Sequence, residues 1–179
     1  MEPVTIRVKR FDFVVKPYEI SVESLKKLYE KMSKYPVIFG KKLNGVEDFV
    51  KIFITYSIPS GDPWVNGLFY SVNDLEVGVL YLTNIMGVEA DAHFSFFDGN
   101  LKGREQIIRV MSQKVMDEFG FRRLNITIPR YANKKVNAFV ERCGAVYEGE
   151  KFASAPWEGK WFNEARYVII NKKLLNVAA

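Results

Sequence analysis

Apolar residues recur with helical spacing between Arg104 and Phe119. They stand at positions i, i+1, i+4, i+8, i+9 and i+12, the stripe of a helix with one buried face: Ile107, Ile108, Met111, Val115, Met116 and Phe119. Gly120 follows directly, and glycine is common where helices end. The pattern therefore predicts a helix over Arg104–Phe119.

Extended segments flank this helix. Ala92–Phe97 precedes it through a turn that contains Gly103, and Arg123–Ile128 follows it. A short helix over Asn133–Cys143 and a strand over Ala145–Phe152 come next. Two strands joined by a helix of this length need a crossover, so Ala92–Phe97 and Arg123–Ile128 are expected to lie parallel. A glycine turn at a helix N-terminus can also bind an anion.

The first third of the chain predicts one strand, two helices and a loop. Apolar and polar residues alternate over Thr5–Val15 as they do in a strand. One break in this alternation indicates a bulge or bend. A helix is expected after the N-cap Ser21, and a second over Val46–Phe53. Ser57–Asn66 is rich in proline and glycine and is expected to be a loop.

Further strands are predicted on both sides of the long helix. Leu68–Val72 and Leu75–Leu82 should form a hairpin around Asn73–Asp74, which gives four strands before the long helix. Towards the C-terminus, Ala153–Trp161 is expected to be an irregular aromatic connection and Ala165–Asn171 the closing strand.

Composition indicates one domain over residues 1–179. Of the 179 residues, 48% are hydrophobic, which suffices for a full core, and neither a linker nor a repeat is evident. The chain does not begin like a signal peptide, and no apolar stretch approaches the roughly 20 residues that span a bilayer. We therefore expect a cytoplasmic protein without a membrane partner.

Charge and cysteine content exclude other classes of function. The net charge of +5 arises from cations interleaved with acids, which argues against a nucleic-acid partner. With one cysteine and one histidine, the chain cannot form an internal disulfide, and a Cys/His zinc site is not expected. The spacing of Cys143 from Val136 and Phe139 favours a buried thiol that packs in the core.

The segment from Asn133 to Gly149 resembles the C-terminal half of the GNAT family of acetyl-CoA-dependent N-acetyltransferases. The similarity rests on Asn133, Val136, the run Phe139–Gly144 and the run Tyr147–Gly149. Within the family it is most similar to the branch of ribosomal-protein N-terminal acetyltransferases. The resemblance implies an α/β fold: a mixed, mostly antiparallel sheet of about seven strands with a splayed parallel central pair, and about four helices.

The resemblance also implies acetyl-CoA as cofactor, held where the parallel strands splay. The pantetheine arm would pair with exposed backbone groups of the two splayed strands, Ala92–Phe97 and Arg123–Ile128, and the pyrophosphate would lie on the turn before the long helix. The cofactor contacts implied in this way are Phe96, Phe97, Lys102, Gly103, Arg104 and Asn133. Asn133 also fits a plain N-cap, and the two roles are compatible.

The turn departs from the family pattern. Asn100 stands where glutamine or arginine is usual, and Glu105 replaces a small residue. A carboxylate beside a bound pyrophosphate would repel it, whereas Lys102 and Arg104 would compensate. The family's frequent tyrosine, which protonates the leaving thiolate, is replaced by Val140.

Acetyl transfer to an amine requires that the amine lose its proton. His93 lies in the strand that should line the cleft, and its ordinary pKa is close to neutral pH, although a packed strand histidine is the alternative. Glu89 and Asp91 are further candidate bases in the same segment. Tyr131, just after the second splayed strand, is a candidate proton donor to the thiolate.

These features favour an acetyltransferase that acts on a primary amine, either a protein or peptide N-terminus or a small molecule. The altered residues Asn100, Glu105 and Val140 support an alternative: a catalytically degenerate GNAT-like protein that serves as a binding or assembly factor. The turn also resembles that of GNAT-like proteins encoded by tailed phages. The oligomeric state stays open.

Overall fold

The computed structural model describes residues 1–35, 43–56, 63–98 and 101–177. In chain order its elements are β1 (Val4–Val8), β2 (Phe11–Pro17), α1 (Val22–Met32), α2 (Val46–Phe53), β3 (Ile54–Tyr56), β4 (Pro63–Val65), β5 (Leu68–Val72), β6 (Gly78–Met86), β7 (Glu89–Phe96), α3 (Arg104–Phe119), β8 (Arg123–Pro129), α4 (Lys135–Arg142), β9 (Val146–Trp157) and β10 (Lys160–Ile170). A 3₁₀ helix over Lys172–Val177 follows.

Eight strands form one mixed sheet in the order β1-β2-β5-β6-β7-β8-β10-β9, and in the described ranges β3 and β4 pair separately. The neighbours in this sheet are antiparallel except β7 and β8, which are parallel, as predicted for strands joined through α3. The result is the predicted mixed α/β architecture, with four α-helices in the described parts of the chain.

Helices pack on both faces of the sheet. The core on one face joins α3 to the sheet through buried residues such as Ile107, Met111 and Leu124. The core on the other face joins α1 and α2 to β5 and β6, with Leu25 and Phe49 fully buried. The second layer therefore covers the middle strands, and among the described residues no helix packs on the same face of β8 and β10.

The helix predictions are confirmed. The helices α2 and α3 span the predicted residues, and Gly120 adopts a left-handed φ of 71° at the end of α3. Ser21 is the N-cap of α1, and its hydroxyl accepts a hydrogen bond from the Ser24 amide. These elements carry strong apolar stripes and end signals, so the sequence pattern located them.

Two predictions for the first part of the chain differ from the structure, the single strand Thr5–Val15 and the end of the loop Ser57–Asn66. Thr5–Val15 forms the β1–β2 hairpin, because Lys9 turns the chain with a φ of 55°. This extra strand raises the sheet to eight strands, five of them before α3. Residues 63–65 of the expected loop Ser57–Asn66 form β4, and residues 57–62 lie outside the described ranges.

Two further boundaries differ from the prediction. The strand expected at Leu75–Leu82 begins at Gly78, because Asn73, Asp74 and Leu75 all have positive φ and lengthen the turn. The expected irregular connection Ala153–Trp161 is instead the end of a long β9–β10 hairpin, which turns at Glu158. Proline, tryptophan and glycine are typical of a loop, but here the segment pairs across the two strands and its backbone is extended.

Cys143 is buried, and burial raises the pKa of its thiol to about 12, which confirms a packing role over a reactive one. Within the described ranges, no helix is both long and apolar enough to cross a membrane. Those ranges also contain no group of three or more side chains suited to hold a metal ion.

Candidate functional site

The parallel strands β7 and β8 separate partway along their length. They pair at Glu89, Ala90 and Asp91 with Arg123, Leu124 and Asn125, and not beyond. The strand β6 holds β7 as far as Phe96, and β10 holds β8 as far as Pro129. A gap therefore opens between the carboxyl ends of two strands that are each fixed on their other side.

Backbone groups of β7 point into this gap. The N–H of Phe97 donates to the carbonyl of Val77 next to β6, at 2.9 Å. Because backbone groups alternate in direction along a strand, those of Phe94 and Phe96 point towards the gap. The carbonyl of Phe97 accepts a hydrogen bond from the Tyr35 hydroxyl at 2.8 Å. Of the two phenylalanines implied as cofactor contacts, Phe96 therefore has its backbone groups directed into the gap between β7 and β8.

The turn into α3 requires a glycine. Gly103 has a φ of 92°, and a Cβ at this position would lie 2.4 Å from Cγ1 of Val8. The Nε of the next residue, Arg104, is buried without a hydrogen-bond partner in the described structure, while its Cζ lies 5.2 Å from the centre of the Phe139 ring. Lys102 is exposed, and Asn100 lies outside the described residues. The start of α3 thus combines a turn that only glycine fits, at Gly103, with a guanidinium N–H of Arg104 that has no hydrogen-bond acceptor among the described residues.

Glu105 is held at the start of α3. Its Oε1 accepts from Nε of Arg142 at 3.1 Å. The pKa of this carboxyl is lowered, chiefly by its own backbone N–H and then by Arg142 and Arg104. The carbonyl of Arg142 in turn accepts from Nε of Arg109 at 2.8 Å, which ties α4 to α3. The negative charge of Glu105 is therefore matched by neighbouring arginines.

Asn133 and Val140, two positions at which the family resemblance concerns function, have structural roles here. Asn133 Oδ1 accepts from the backbone N–H of Lys135 at 2.9 Å, but the N-cap of α4 is Lys134 rather than the predicted Asn133. Val140 is buried in the core beside α3 and offers no proton. Contact of Asn133 with a cofactor stays a prediction.

A polar groove lies on the face of β8 and β10 that no helix covers. Its volume is about 290 Å³. The residues that line it come from β7, β8, β9 and β10: Asp91, Asn125, Ile126, Thr127, Glu148, Lys151, Glu164, Arg166 and Tyr167. Since Asp91 and Asn125 are the last pair before the strands separate, the groove begins where the gap begins.

His93 lies on the same face of β7 as Asp91, two residues nearer the open end of the gap. Its ring stacks on Tyr81 at 4.5 Å, and its Nε2 lies 2.8 Å from Oγ1 of Thr83. Burial lowers the pKa of His93, against a smaller opposing effect of Asp91. Burial therefore favours the neutral imidazole.

Glu89 is held at the closed end of the gap. Its Oε2 accepts from Nδ2 of Asn125 at 3.2 Å and lies 3.5 Å from Nε of Arg123. The groove lining includes Asp91 but not Glu89. The structure thus places Asp91, rather than Glu89, beside the open space.

Tyr131 follows the open end of β8. Its ring stacks on Trp157 at 4.9 Å, and its hydroxyl is buried without a hydrogen-bond partner in the described part of the chain. Burial, and then Glu164, raises the pKa of Tyr131, so the phenol stays protonated at neutral pH.

The sequence pattern did not identify the cations of the groove, Lys151 and Arg166. The sequence predicts strands for the segments that contain them, Ala145–Phe152 and Ala165–Asn171, but their common position on the groove depends on the register of β9 against β10. Tyr35 was also missed, because its contact with Phe97 spans 62 residues of sequence. Alternation along an extended β10 would have been the signal for Arg166 and Glu164.

A scan against protein-family models finds no match, and neither does a search of curated proteins. Solved structures do match. A chimera of the Vibrio cholerae spermidine N-acetyltransferase SpeG and hSSAT is 14% identical, with a TM-score of 0.68 over 90% of this chain and 98% of that chain. The Vibrio fischeri ribosomal-protein-S5-alanine acetyltransferase is 13% identical, with a TM-score of 0.67 over 94% of this chain and 97% of that one. A dodecameric spermidine N-acetyltransferase from Vibrio cholerae is 15% identical, with a TM-score of 0.66 over 93% and 98%. These likenesses show a common fold.

Proposed function

We propose that this chain, which has the GNAT fold, is an acetyl-CoA-dependent N-acetyltransferase that acts on a primary amine. The observation that carries the proposal is the separation of β7 and β8 after Asp91 and Asn125, with the Gly103 turn at the same end of the sheet and a polar groove on one face. The named activities of the similar structures, on spermidine and on a ribosomal protein, support the same class of reaction.

The residues at the turn fit an anionic cofactor. Gly103 leaves room that any side chain would fill, and the unpaired Nε of the neighbouring Arg104 offers a donor. Lys102 adds positive charge, while Glu105 is already paired with Arg142. We propose that these cations hold the phosphates and that the Phe96 backbone holds the pantetheine arm. Bound acetyl-CoA would supply the acetyl group as a thioester.

The groove side would prepare the amine. Asp91 lines the groove where the strands separate, so its carboxylate would orient the acceptor ammonium. His93, neutral because burial lowers its pKa, would take the proton. Glu89 would act through Asn125 as a positioning residue. Tyr131, with a raised pKa and an unpaired hydroxyl, would return a proton to the departing thiolate.

A second function has two specific observations in its favour. Glu105, in the first turn of α3, is paired with Arg142 of α4, and Val140 stands in place of a tyrosine acid. A GNAT-like binding or assembly protein that has lost catalysis would tolerate both. This alternative predicts no turnover with any amine.

The test is a transfer assay with acetyl-CoA and a panel of amines: amino acids, short peptides, polyamines and a ribosomal-protein N-terminal peptide. Mass spectrometry would detect the added acetyl group, and a thiol reagent would detect released coenzyme A. We expect acetylated product with at least one acceptor and loss of most activity in His93→Gln. If no acceptor gains an acetyl group although the purified protein is folded, the proposal is contradicted and the binding-protein alternative is favoured.

A further inference from the structure

The charges in the groove are of both signs and are not neutralised by each other. Among the described residues, Asp91 accepts a hydrogen bond from the Asn84 amide at 2.7 Å but has no cationic partner. Glu164 is half-buried and has no ion pair in the described structure. By contrast, Glu148 in the same groove is paired with Arg123 at 2.6 Å.

The cations of the groove are equally unpaired. Lys151 lies across from Glu164 in the β9–β10 register, yet the described side chains form no ion pair there. Arg166 is exposed on β10, next to Thr127 of β8, and its guanidinium also has no carboxylate partner in the described ranges. Two free carboxylates and two free cations therefore face one cavity of about 290 Å³.

The charges are also ordered across the sheet. Asp91 lies on β7 at the start of the gap, and Arg166 lies on β10, with β8 between them. Neighbouring strands are about 4.8 Å apart, so the two positions are roughly 10 Å apart across the sheet before their side chains reach inward. A small molecule that carries an ammonium and a carboxylate a few ångströms apart would contact both ends.

We infer that the acceptor is a compact zwitterion, an α-amino acid or dipeptide, whose ammonium contacts Asp91 and whose carboxylate contacts Arg166 and Lys151. The inference rests on the proposed function, because it assigns the acceptor to the groove beside the splayed strands. A polyamine has no carboxylate, so it would leave the cations Arg166 and Lys151 of the groove unpaired. The groove volume suits a molecule of this size better than a folded protein terminus.

The experiment compares each of a set of L-amino acids and the dipeptide Ala-Ala with its C-terminal carboxamide, and with spermidine, in the acetyl-CoA transfer assay. We expect the free carboxylate to be preferred by about tenfold or more in kcat/KM, through KM. In the double variant Lys151→Gln, Arg166→Gln that preference should fall to near one, because the contacts to the carboxylate are lost. Both side chains are exposed, so the variant is expected to fold. Lys172→Gln, at the opposite end of the sheet, is the matched control.

A preference for spermidine or for the carboxamides would overturn the inference, as would a carboxylate preference that survives in the double variant. If no amine at all is acetylated, the proposed function fails, and binding then decides the inference separately. An NMR titration with the same amino acids and carboxamides should shift the amide of Arg166 only with the free carboxylates, whereas the amide of Asp91 should respond to the ammonium group of both. No carboxylate-dependent shift would contradict the zwitterion site.

Discussion

The strand β8 has two faces of opposite character. Leu124, Ile126 and Ile128 point to α3 and are at most 6% exposed, whereas Asn125 and Thr127 alternate with them and line the open groove. One strand thus contributes both to the core and to the candidate site. Because side chains alternate across a strand, the residues that stabilise the fold constrain the groove residues very little.

The largest expected effect is a difference in unfolding free energy between variants on the core face and on the groove face of β8. Leu124→Ala removes a side chain that is 1% exposed and should cost about 3 kcal/mol of unfolding free energy. Thr127→Ala, three residues along and on the groove face, should change it by less than about 0.5 kcal/mol. Urea unfolding followed by circular dichroism checks both. Equal losses of unfolding free energy in the two variants would mean that the groove face also stabilises the fold.

The second effect concerns activity on the groove face. Asp91→Asn keeps an acceptor for Asn84 but removes the charge, so kcat/KM should fall about 10- to 100-fold, since a hydrogen bond to a charged group contributes about 1.5–3 kcal/mol. Steady-state assays with the best acceptor measure this change. Asp74→Asn, in the β5–β6 turn, is the control and should keep full activity. Undiminished activity in Asp91→Asn would remove Asp91 from the site.

The third prediction uses pH to test His93. Its folded pKa is lowered below the unfolded value of about 6.5, so the unfolded chain binds the proton more readily, and stability falls as pH drops below about 6.5. The slope from this group is at most about 1.4 kcal/mol per pH unit. Unfolding between pH 7.5 and 5.5 should therefore show a loss that His93→Gln lacks. An unchanged slope in that variant would mean that His93 is not desolvated.

The smallest effect lies at the cofactor turn. Glu105→Gln removes the charge opposite the bound phosphates and frees Arg142, so acetyl-CoA should bind about two- to fivefold more tightly, in line with the 0.2–1 kcal/mol of exposed charge pairs. Calorimetry checks this against the control Glu76→Gln, which should bind as the parent does. Weaker binding in Glu105→Gln would mean that Glu105 positions Arg142 usefully.

The same contrast explains how much the sequence could predict. The core-facing pattern of α3 and the order of β7, α3 and β8 were found because apolar period and crossover geometry are local signals. The β1–β2 hairpin was missed because Lys9, not a glycine, makes the turn. The end of β9 was missed because the bulge at Ala153, with a φ of 44°, breaks the alternation there.

The candidate site divides in the same way. Gly103 was located by its motif, and its φ of 92° explains why a glycine stands there. The groove charges of Lys151 and Arg166 required the register of β9 against β10, which no short-range pattern in the sequence specifies. Long-range pairing, rather than composition, creates the open face.

The most direct test of the account is a calorimetric titration of the purified protein with acetyl-CoA. We expect binding in the micromolar range, about −8 kcal/mol, that weakens about tenfold in Arg104→Ala and is unchanged in Lys172→Ala. Absence of heat and of any thermal shift at millimolar acetyl-CoA, in a folded protein, would contradict the cofactor site at the Gly103 turn.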